Sequence, residues 1–338
     1  MSTPNEMILQ DNKTIKKNNI FLYVNVSDIN IIINDKKKFG NFNKTFYKIW
    51  SKCDKDQNIK DINIQKKENN IQKNKLNKIK KEALNKLIIY KTTKKDEDKK
   101  IADKYIKKYK KVKNKIIISN LQNDKIYDIK INDKNIKCDN IKELQKSKHT
   151  ILKKYNINKN NKILNNKIDQ LCNKKYGIKN EIKAIDIFKK LNNIDIVDTS
   201  QKYYKKYIIN KDFFIGGRFD GIDKTNNKII EIKCRTKKLY DYPFLSDEIQ
   251  VLSYLYISDY KKGYIIQYLK NDISNIKIFD IKFNTHFYEN YVLKRLKKFY
   301  YFYCYFLTND LLKQKLINYC NNINLNFDLE KEFLKFVY

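Results

Sequence analysis

The segment Phe213–Arg235, FFIGGRFDGIDKTNNKIIEIKCR, decides the fold. It places two runs suited to β-strands on either side of a turn-rich spacer, DKTNN, and so predicts a β-hairpin. In the second run, the two-residue period of a strand puts Ile230 and Ile232 on one face. Glu231 and Lys233 fall on the opposite face. The second run therefore predicts a strand with one apolar and one charged side.

Three charged side chains of this hairpin are expected to meet. Asp220 closes the first run, and an antiparallel pairing of the two runs brings it beside Glu231, with Lys233 one step along the same face. Two carboxylates and an ammonium group on one side of a buried hairpin suit a hard divalent cation and an activated water. The arrangement is typical of sites that cleave phosphodiester bonds.

The composition permits a nucleic-acid partner without identifying one. The 338 residues are 41% hydrophobic, enough for one large domain or two ordinary ones with a sizeable core. The formal charge of +35 favours polyanions. However, Lys, Asn, Ile and Tyr dominate in the manner of an AT-rich coding sequence, so coding bias also explains much of the lysine content.

Cysteine and histidine spacing argues against a zinc or iron–sulfur site. The two histidines and six cysteines form no metal-binding spacing and no CxxC pair. Nothing indicates a disulfide framework, a signal peptide or a membrane span, so we expect a soluble, intracellular protein with no membrane partner. The cysteines are Cys53, Cys138, Cys172, Cys234, Cys304 and Cys320.

Residues 1–164 form a Lys- and Asn-rich region whose role the sequence does not indicate. Helical spacing in part of it predicts a helical N-terminal region. The individual expectations are strands at 20–26, 29–33 and 115–121, a solvated linker or an insertion at 54–85, and helices at 98–117 and 140–155.

A helix is expected just before the hairpin, with Asn180 as its N-cap after Gly177. Glu181 then lies in the first turn, where it can face the hairpin as a third acidic group. The expected core-facing stripe of this helix is Ile182, Ile185, Phe188 and Leu191.

The chain after the hairpin predicts a second helix, two strands and a C-terminal core helix. The helix DEIQVLSYLYISD carries Gln250 and Tyr254 at i, i+4, so these two side chains share a face. The strands are expected at Gly263–Leu269 and Ile276–Phe283. The C-terminal helix, which has one aromatic and one lysine-rich face, is expected at 286–307.

The tripeptide Glu231-Ile232-Lys233 gains meaning from its neighbours. Acid-x-Lys tripeptides are common in a lysine-rich chain, and most are solvated faces of helices or strands. Only the one at Glu231 follows a Gly-rich strand that bears an aspartate and precedes a helix with Gln-x-x-x-Tyr. The other three are Asp128-Ile129-Lys130, Glu181-Ile182-Lys183 and Asp280-Ile281-Lys282.

Four motifs together resemble those of PD-(D/E)XK nucleases, over about residues 170–270. The resemblance is closest to the lambda-exonuclease or YqaJ-type viral recombinase branch, although Phe219 replaces the proline before the aspartate. It implies an α/β, restriction-endonuclease-like core at 165–338, with a central mixed β-sheet flanked by helices. The motifs are G-x-x-x-E at Gly177 and Glu181, GGRFDG at 216–221, EIK at 231–233 and QVLSY at 250–254.

The resemblance also implies roles for individual residues. Lys233 would orient or deprotonate the attacking water and stabilise charge on the phosphate, and Gln250 would support it, with Tyr254 packed beneath. Acting as a base would require the pKa of Lys233 to fall well below about 10.4. The implied ligands of Mg²⁺ or Mn²⁺ are Glu181, Asp220, Glu231 and the backbone carbonyl of Ile232.

Contacts with DNA are expected from Arg218, Arg235 and Tyr254. The two arginines would clamp phosphates. They suit equally well structural ion pairs with Asp220, Glu231 or Asp223.

The function implied is a Mg²⁺-dependent deoxyribonuclease, an exonuclease that resects duplex DNA ends for recombination or repair. Its implied partners are duplex DNA ends, a single-strand annealing protein and further copies of the chain in a homo-oligomer. A viral member would act at a cytoplasmic replication site. Two alternatives remain open: a structure-specific or sequence-specific endonuclease on the same core, and a catalytically silent nucleic-acid-binding protein.

Overall fold

The structure is a computed structural model that describes residues 20–33, 41–122, 141–154, 162–192, 194–198, 202–209, 211–269, 276–321 and 326–337. The chain divides into two compact units. The first combines Met1–Asn58 with Glu181–Tyr338, and the second comprises Ile59–Asn180. The division of roles expected between residues 1–164 and 165–338 stays a prediction.

The first unit contains all the described strands. These are β1 (Leu22–Asn25), β2 (Ile196–Asp198), β3 (Tyr204–Ile209), β4 (Phe213–Gly217), β5 (Gly221–Asp223), β6 (Lys228–Cys234), β7 (Lys262–Tyr268) and β8 (Ile276–Lys282). Its early helices are α1 (Val26–Ile33) and α2 (Phe42–Cys53). The second unit contributes most of α3 (Lys55–Thr93), then α4 (Asp96–Gln122), α5 (Ile141–Lys154) and the first part of α6 (Lys162–Asn192). The later helices of the first unit are α7 (Leu245–Ser258), α8 (Lys294–Thr308), α9 (Asp310–Cys320) and α10 (Leu329–Val337).

A five-stranded mixed sheet with the order β2-β5-β6-β7-β8 lies at the centre of the first unit. Strands β6 and β7 run parallel, with Glu231 opposite Ile265, and the other neighbours run antiparallel. The predicted hairpin is β5–β6, in which Gly221 lies opposite Ile230. Asn227 ends its turn with a φ of 53°, a conformation that asparagine tolerates. The α/β class and the mixed sheet agree with the expectation.

The first run of the predicted hairpin is split between two sheets. Strand β4 is not part of the five-stranded sheet. It lies in a second sheet of order β1-β4-β3, where it runs parallel to β1 and antiparallel to β3. The break falls at Phe219, whose buried ring stacks on Tyr204 and meets the edge of Tyr254. Burial of this ring turns the chain inward between β4 and β5, so the run cannot continue as a single strand.

Helices cover both faces of the five-stranded sheet, as expected. Helix α7 packs through Ile249 and Leu252 in the same core as Ile229 of β6. On the other face, Ala184 and Phe188 of α6 pack with a second apolar cluster. The sheet members of that cluster are Ile196, Ile230, Ile232, Ile266 and Tyr268.

Helix α6 differs from the expectation in its start and in its buried face. It runs unbroken from Lys162, and Asn180 is an interior residue whose Nδ2 donates to the carbonyl of Tyr176 at 2.8 Å. Ile182 is 66% exposed and Leu191 is also exposed, so half of the expected stripe faces solvent. The small Ala184 lets the helix approach the sheet closely, and this rotates the buried face away from Ile182.

The first residues of the first unit join the core of its last helices. Phe46 and Trp50 of α2 meet Phe306 of α8 with ring centroids 4.8 and 5.0 Å apart. The expected strand at 20–26 is present as β1, but 29–33 lies in helix α1. A short apolar run has no period that separates a strand from a buried helix.

The C-terminal core helix is confirmed, although it is interrupted. A short turn at Thr285–Phe287 leads into a π-helical turn, Tyr288–Leu293, and then into α8. Phe299 and Phe302 of α8 are fully buried.

The second unit is helical in its described parts, as the N-terminal half was expected to be. The interpretation of 54–85 as a solvated linker is wrong, because this segment lies almost wholly within α3. Its interpretation as part of an insertion agrees with the second unit, Ile59–Asn180, which interrupts the first along the chain. The predicted strand at 115–121 belongs to α4. Lysine is a good helix former, and this part of the chain has no proline, so nothing ends the helices early. No described helix is both long enough and apolar enough to cross a membrane.

Candidate active site

Asp220 is fixed against the backbone of β6. Its N–H donates to the carbonyl of Ile230 at 3.1 Å, and its Oδ2 accepts from the N–H of Ile232 at 2.6 Å. Because β5 begins immediately after Asp220, these two bonds hold the carboxylate at the point where the chain passes between the two sheets. The expected meeting of Asp220 with the Glu231 strand is therefore observed.

Glu231 is a buried carboxylate with one satisfied oxygen. Its Oε1 accepts from Lys233 Nζ at 2.7 Å and from Gln250 Nε2 at 2.8 Å. Its Oε2 is buried and accepts no hydrogen bond from any residue that the structure describes. Burial raises the pKa of Glu231 to about 8, and the Asp220 charge adds to this, while Lys233 acts in the opposite direction.

Lys233 is held between three polar groups. Its Nζ donates to Glu231 Oε1 and to Gln250 Oε1 at 2.8 Å, and it lies 4.0 Å from Asp247 Oδ1. Burial is the largest effect on the pKa of Lys233 and lowers it, but the charges of Glu231 and Asp247 outweigh burial, so the pKa is raised. A water-deprotonating role requires the opposite shift. The raised pKa favours the ammonium form of Lys233.

Helix α7 supplies Gln250 and Tyr254 from one face, as their spacing predicts. Gln250 Nε2 lies 3.2 Å from the hydroxyl of Tyr254, and the Tyr254 ring lies edge-on to Phe219 at 5.6 Å. Tyr254 is only 4% exposed. The expected packing beneath Gln250 agrees with this position, whereas the expected contact with DNA does not, because the ring has almost no free surface.

Glu181 lies near the cluster without joining it by a hydrogen bond. Burial raises its pKa, Glu231 adds to the effect, and Lys233 opposes it, so the three groups are within electrostatic range. Within the described part of the chain, no three Asp, Glu, His or Cys side chains are grouped closely enough to hold a metal. Ligation of a metal by Glu181 therefore stays a prediction that needs its side chain to approach.

The two arginines have different surroundings. Arg235 forms an ion pair with Asp247 and lies over the ring of Phe244, 4.7 Å from its centroid. The expected ion-pair partners were wrong, since Asp223 instead accepts from the N–H of Asn226 at 3.0 Å and stabilises the hairpin turn. Arg235 thus has a structural ion pair, and its contact with a DNA phosphate stays a prediction.

Arg218 remains suited to a phosphate. Its side chain is exposed, and it lies 5.9 Å from the ring of Tyr203. It forms no ion pair with any described residue. Arg218 is also only two residues before Asp220 in the sequence, so the chain passes directly from it to the candidate active site.

Asp247 is the site residue that the sequence analysis missed. It is buried in the first turn of α7, pairs with Arg235 and lies beside Lys233. A signal for it was present, because Asp247 precedes Gln250 by three residues on a predicted helix, and such residues share a face.

The competing tripeptides do not form comparable clusters. Glu181-Ile182-Lys183 is on a helix, and Asp280 of Asp280-Ile281-Lys282 is an exposed residue paired with Lys228. The tripeptide at Asp128 lies outside the described residues. Among the described tripeptides, only that of Glu231 has its acid and lysine bonded to each other beside a second carboxylate.

The donor set fits a divalent cation. Glu231 Oε2 is buried and accepts no hydrogen bond from a described residue, and burial, with the charge of Asp220 adding to it, raises the pKa of Glu231. Carboxylate and carbonyl oxygens are the ligands that Mg²⁺ and Mn²⁺ prefer. Burial of a carboxylate oxygen without a partner is costly, and a bound cation offsets that cost.

Neither a protein family nor a curated protein matches the sequence. Among solved structures, that of a protein named SSO0001 aligns at 16% identity over 50% of this chain and 75% of its own, with a TM-score of 0.31. A phage-related exonuclease from Haemophilus somnus 129PT aligns at 17% identity over 48% of this chain and 80% of its own, with a TM-score of 0.30. Similarities with TM-scores this low do not support a conclusion about the fold or function of this chain.

Proposed function

We propose that this chain is a Mg²⁺- or Mn²⁺-dependent deoxyribonuclease on a PD-(D/E)XK-type core. The observation that supports this most directly is the buried Glu231 Oε2, which accepts no hydrogen bond from a described residue. Asp220 is bonded to the next residue of the same strand, Ile232, and Lys233 is bonded to the other oxygen of Glu231. A carboxylate oxygen kept buried without a hydrogen bond is expensive. It is expected where function requires a ligand.

The residues have distinct roles in this proposal. Asp220, Glu231 and the carbonyl of Ile232 would hold the ion, with Glu181 closing on it directly or through water. The ion, when bound, would polarise the phosphate and lower the pKa of a water.

Lys233, as an ammonium donor, would stabilise the negative charge that develops on the phosphate. Its position is supported by two contacts. Gln250 accepts one of its hydrogen bonds, and Asp247 lies beside it while bonded to Arg235.

The motif resemblance favours exonuclease action on duplex DNA ends, serving recombination or repair beside an annealing protein. The exposed Arg218, which leads into Asp220 along the chain, suits a phosphate close to the cleaved bond. Homo-oligomer formation is a further part of the proposal that comes from the resemblance alone.

The test is digestion of end-labelled linear DNA and covalently closed circular DNA with Mg²⁺, with Mn²⁺ and with EDTA. Glu231→Gln and Lys233→Ala should each lower the rate of cleavage at least about 100-fold, the scale on which one preorganised charge contributes. Asp280→Asn and Lys282→Ala are matched controls, because they change the same residue types in the exposed tripeptide of β8, and they should digest as wild type.

The outcomes distinguish the candidate functions. Digestion of linear DNA with the closed circle left intact supports an exonuclease, and cutting of the closed circle supports an endonuclease. DNA binding in EDTA without cleavage after Mg²⁺ is added supports a silent binding protein. Wild-type rates in both Glu231→Gln and Lys233→Ala would refute the site.

A further inference from the structure

The three-stranded sheet carries a cluster of five aromatic rings, three exposed and two half-buried, on its outer face. Strand β4 alternates buried Phe213 and Ile215 with Phe214, which therefore points away from the core. Phe214 is the centre of the cluster, which is completed by rings from β1, β3 and the residues just before them. We call this the aromatic face: Phe21, Tyr23, Tyr203, Tyr207 and Phe214.

The rings are positioned by contacts within the cluster. The centroids of Tyr23, Phe21 and Tyr207 lie 4.8, 5.4 and 5.5 Å from that of Phe214. The hydroxyl of Tyr203 donates to that of Tyr23 at 2.6 Å. A preformed array of rings loses little conformational entropy when a flat ligand stacks on it.

Gly216 is required for this arrangement. A Cβ atom at this position would lie 2.3 Å from the hydroxyl oxygen of Tyr203 and 2.8 Å from the carbonyl oxygen of Tyr204. Because only glycine leaves room, the Tyr203 ring can lie across the strand. The Tyr203 ring therefore lies close to Gly216 and meets the Tyr23 ring edge-on, with centroids 6.3 Å apart.

Positive charge borders the aromatic face. Lys205 Nζ lies 5.7 Å from the ring centroids of both Tyr207 and Phe214, and Arg218 lies 5.9 Å from that of Tyr203. Aromatic rings bordered by cations match a ligand with flat bases and a polyanionic backbone. In a duplex the base faces are already stacked on each other, so the matching ligand is a single strand.

We propose that the aromatic face binds single-stranded DNA by base stacking, with Lys205 and Arg218 contacting its phosphates. The inference rests on the proposed nuclease function, because Arg218 links β4 to Asp220 and so joins the face to the active site along the chain. The face would hold the unpaired strand that digestion of a duplex end produces.

The test measures binding apart from cleavage. Fluorescence anisotropy in EDTA would follow full-length protein binding to a labelled oligo-dT of about 20 nucleotides, longer than the ~4–16 that one stacking domain covers. Tyr207→Ala and Phe21→Ala should each weaken binding at least about fivefold, from the usual contribution of one stacked base. Tyr207→Phe should bind as wild type, because it keeps the ring.

Tyr301→Ala is the matched control. Tyr301 is 41% exposed and lies on α8, against 45% for Tyr207. Oligo-dT binding by this variant should equal that of wild type. A blunt duplex in the same assay should bind Tyr207→Ala as tightly as it binds the unchanged protein.

Two results would overturn the inference: oligo-dT affinity unchanged in Tyr207→Ala and Phe21→Ala, or equal loss for duplex and single strand. Circular dichroism melts would first establish that each variant is folded. Digestion of linear duplex by wild type with Mg²⁺ reports on the proposed nuclease separately. An active enzyme with an unimportant aromatic face is thus distinguishable from an inactive protein.

Discussion

At the scale of single residues, the candidate site is a compromise between stability and ligand binding. Glu231 has one oxygen bonded twice and the other buried without a described partner. The same side chain would be better placed for stability if it were neutral, as its raised pKa indicates. Such local costs are typical of functional sites.

Magnesium should stabilise the protein through Glu231. A ligand at about tenfold excess over its Kd adds about 1.4 kcal/mol to the free energy of unfolding, so Tm should rise by a few degrees. Scanning calorimetry with EDTA or Mg²⁺ should show this rise in wild type and in Asp280→Asn, but not in Glu231→Gln. An equal rise in Glu231→Gln would place the ion elsewhere.

Gly217 should tolerate no side chain. A Cβ atom there would lie 2.8 Å from Cε1 of Tyr254 and 3.3 Å from Cβ of Val26, closer than packed carbon atoms approach. Gly217→Ala should therefore lower the free energy of unfolding by about 1–3 kcal/mol, the usual cost of overpacking. Urea unfolding measures the loss, and Lys224→Ala, in the exposed hairpin turn, should change it little.

At the scale of elements, helix α6 shows how packing chooses among apolar residues. Ala184 and Phe188 face the sheet, while Ile182 is left in solvent. Helical spacing permits either the stripe with Ala184 or the stripe with Ile182 to face the sheet. The stripe with Ala184 is buried, because its small side chain lets the helix approach the sheet closely. Hydrophobicity alone would favour burial of Ile182.

Truncation of the buried Phe188 side chain should therefore destabilise the protein far more than truncation of the exposed Ile182 side chain. Phe188→Ala should lower the free energy of unfolding by about 3–5 kcal/mol, through lost burial and a cavity. Ile182→Ala should change it by less than about 0.5 kcal/mol. Urea denaturation of both variants makes the comparison, and equal losses would show that the expected stripe had been right.

The sequence predicts the candidate site better than it predicts the elements around it. The two-residue period puts Glu231 and Lys233 on one face, and the i, i+4 spacing puts Gln250 and Tyr254 on another, so short-range patterns place four side chains correctly. The meeting of these faces is seen in the hydrogen bond from Lys233 to Gln250 and in that from Gln250 to Glu231.

The rest depends on contacts that no local pattern records. The split of the first run at Phe219 depends on two rings distant in sequence, Tyr204 and Tyr254. Helical spacing places Asp247 on the face of Gln250, but no local pattern predicts its pairing with Arg235. A lysine-rich helix and a solvated coil share one composition, so composition alone does not distinguish helix α3 from a solvated linker.

At the scale of the whole molecule, the first unit is assembled from two separate stretches of chain. Strand β1 pairs with β4, and α2 packs Phe46 and Trp50 against Phe306 of α8. Residues near the N-terminus thus complete both the small sheet and the core of the C-terminal helices. A fragment that begins after α2 lacks the edge strand β1 and the aromatic side chains that α2 packs against α8.

The fragment 165–338 should therefore not fold by itself. Removal of β1, α1 and α2 exposes Phe299, Phe302 and Phe306, which are buried in the intact protein. Circular dichroism should show no cooperative melt for this fragment. Co-expression with residues 1–58 should restore one, whereas a sharp melt of 165–338 alone would contradict this dependence.

The pairing of Leu22 with Phe213 also governs the order of events during synthesis. Strand β1 leaves the ribosome before β4, its neighbour in the described sheet, has been made. At about 5–20 residues per second, this interval is on the order of ten seconds or more. Throughout it, apolar Leu22 and Val24 and their unpaired backbone are open to other nascent chains, so the cell's holding chaperones should be needed most in that window.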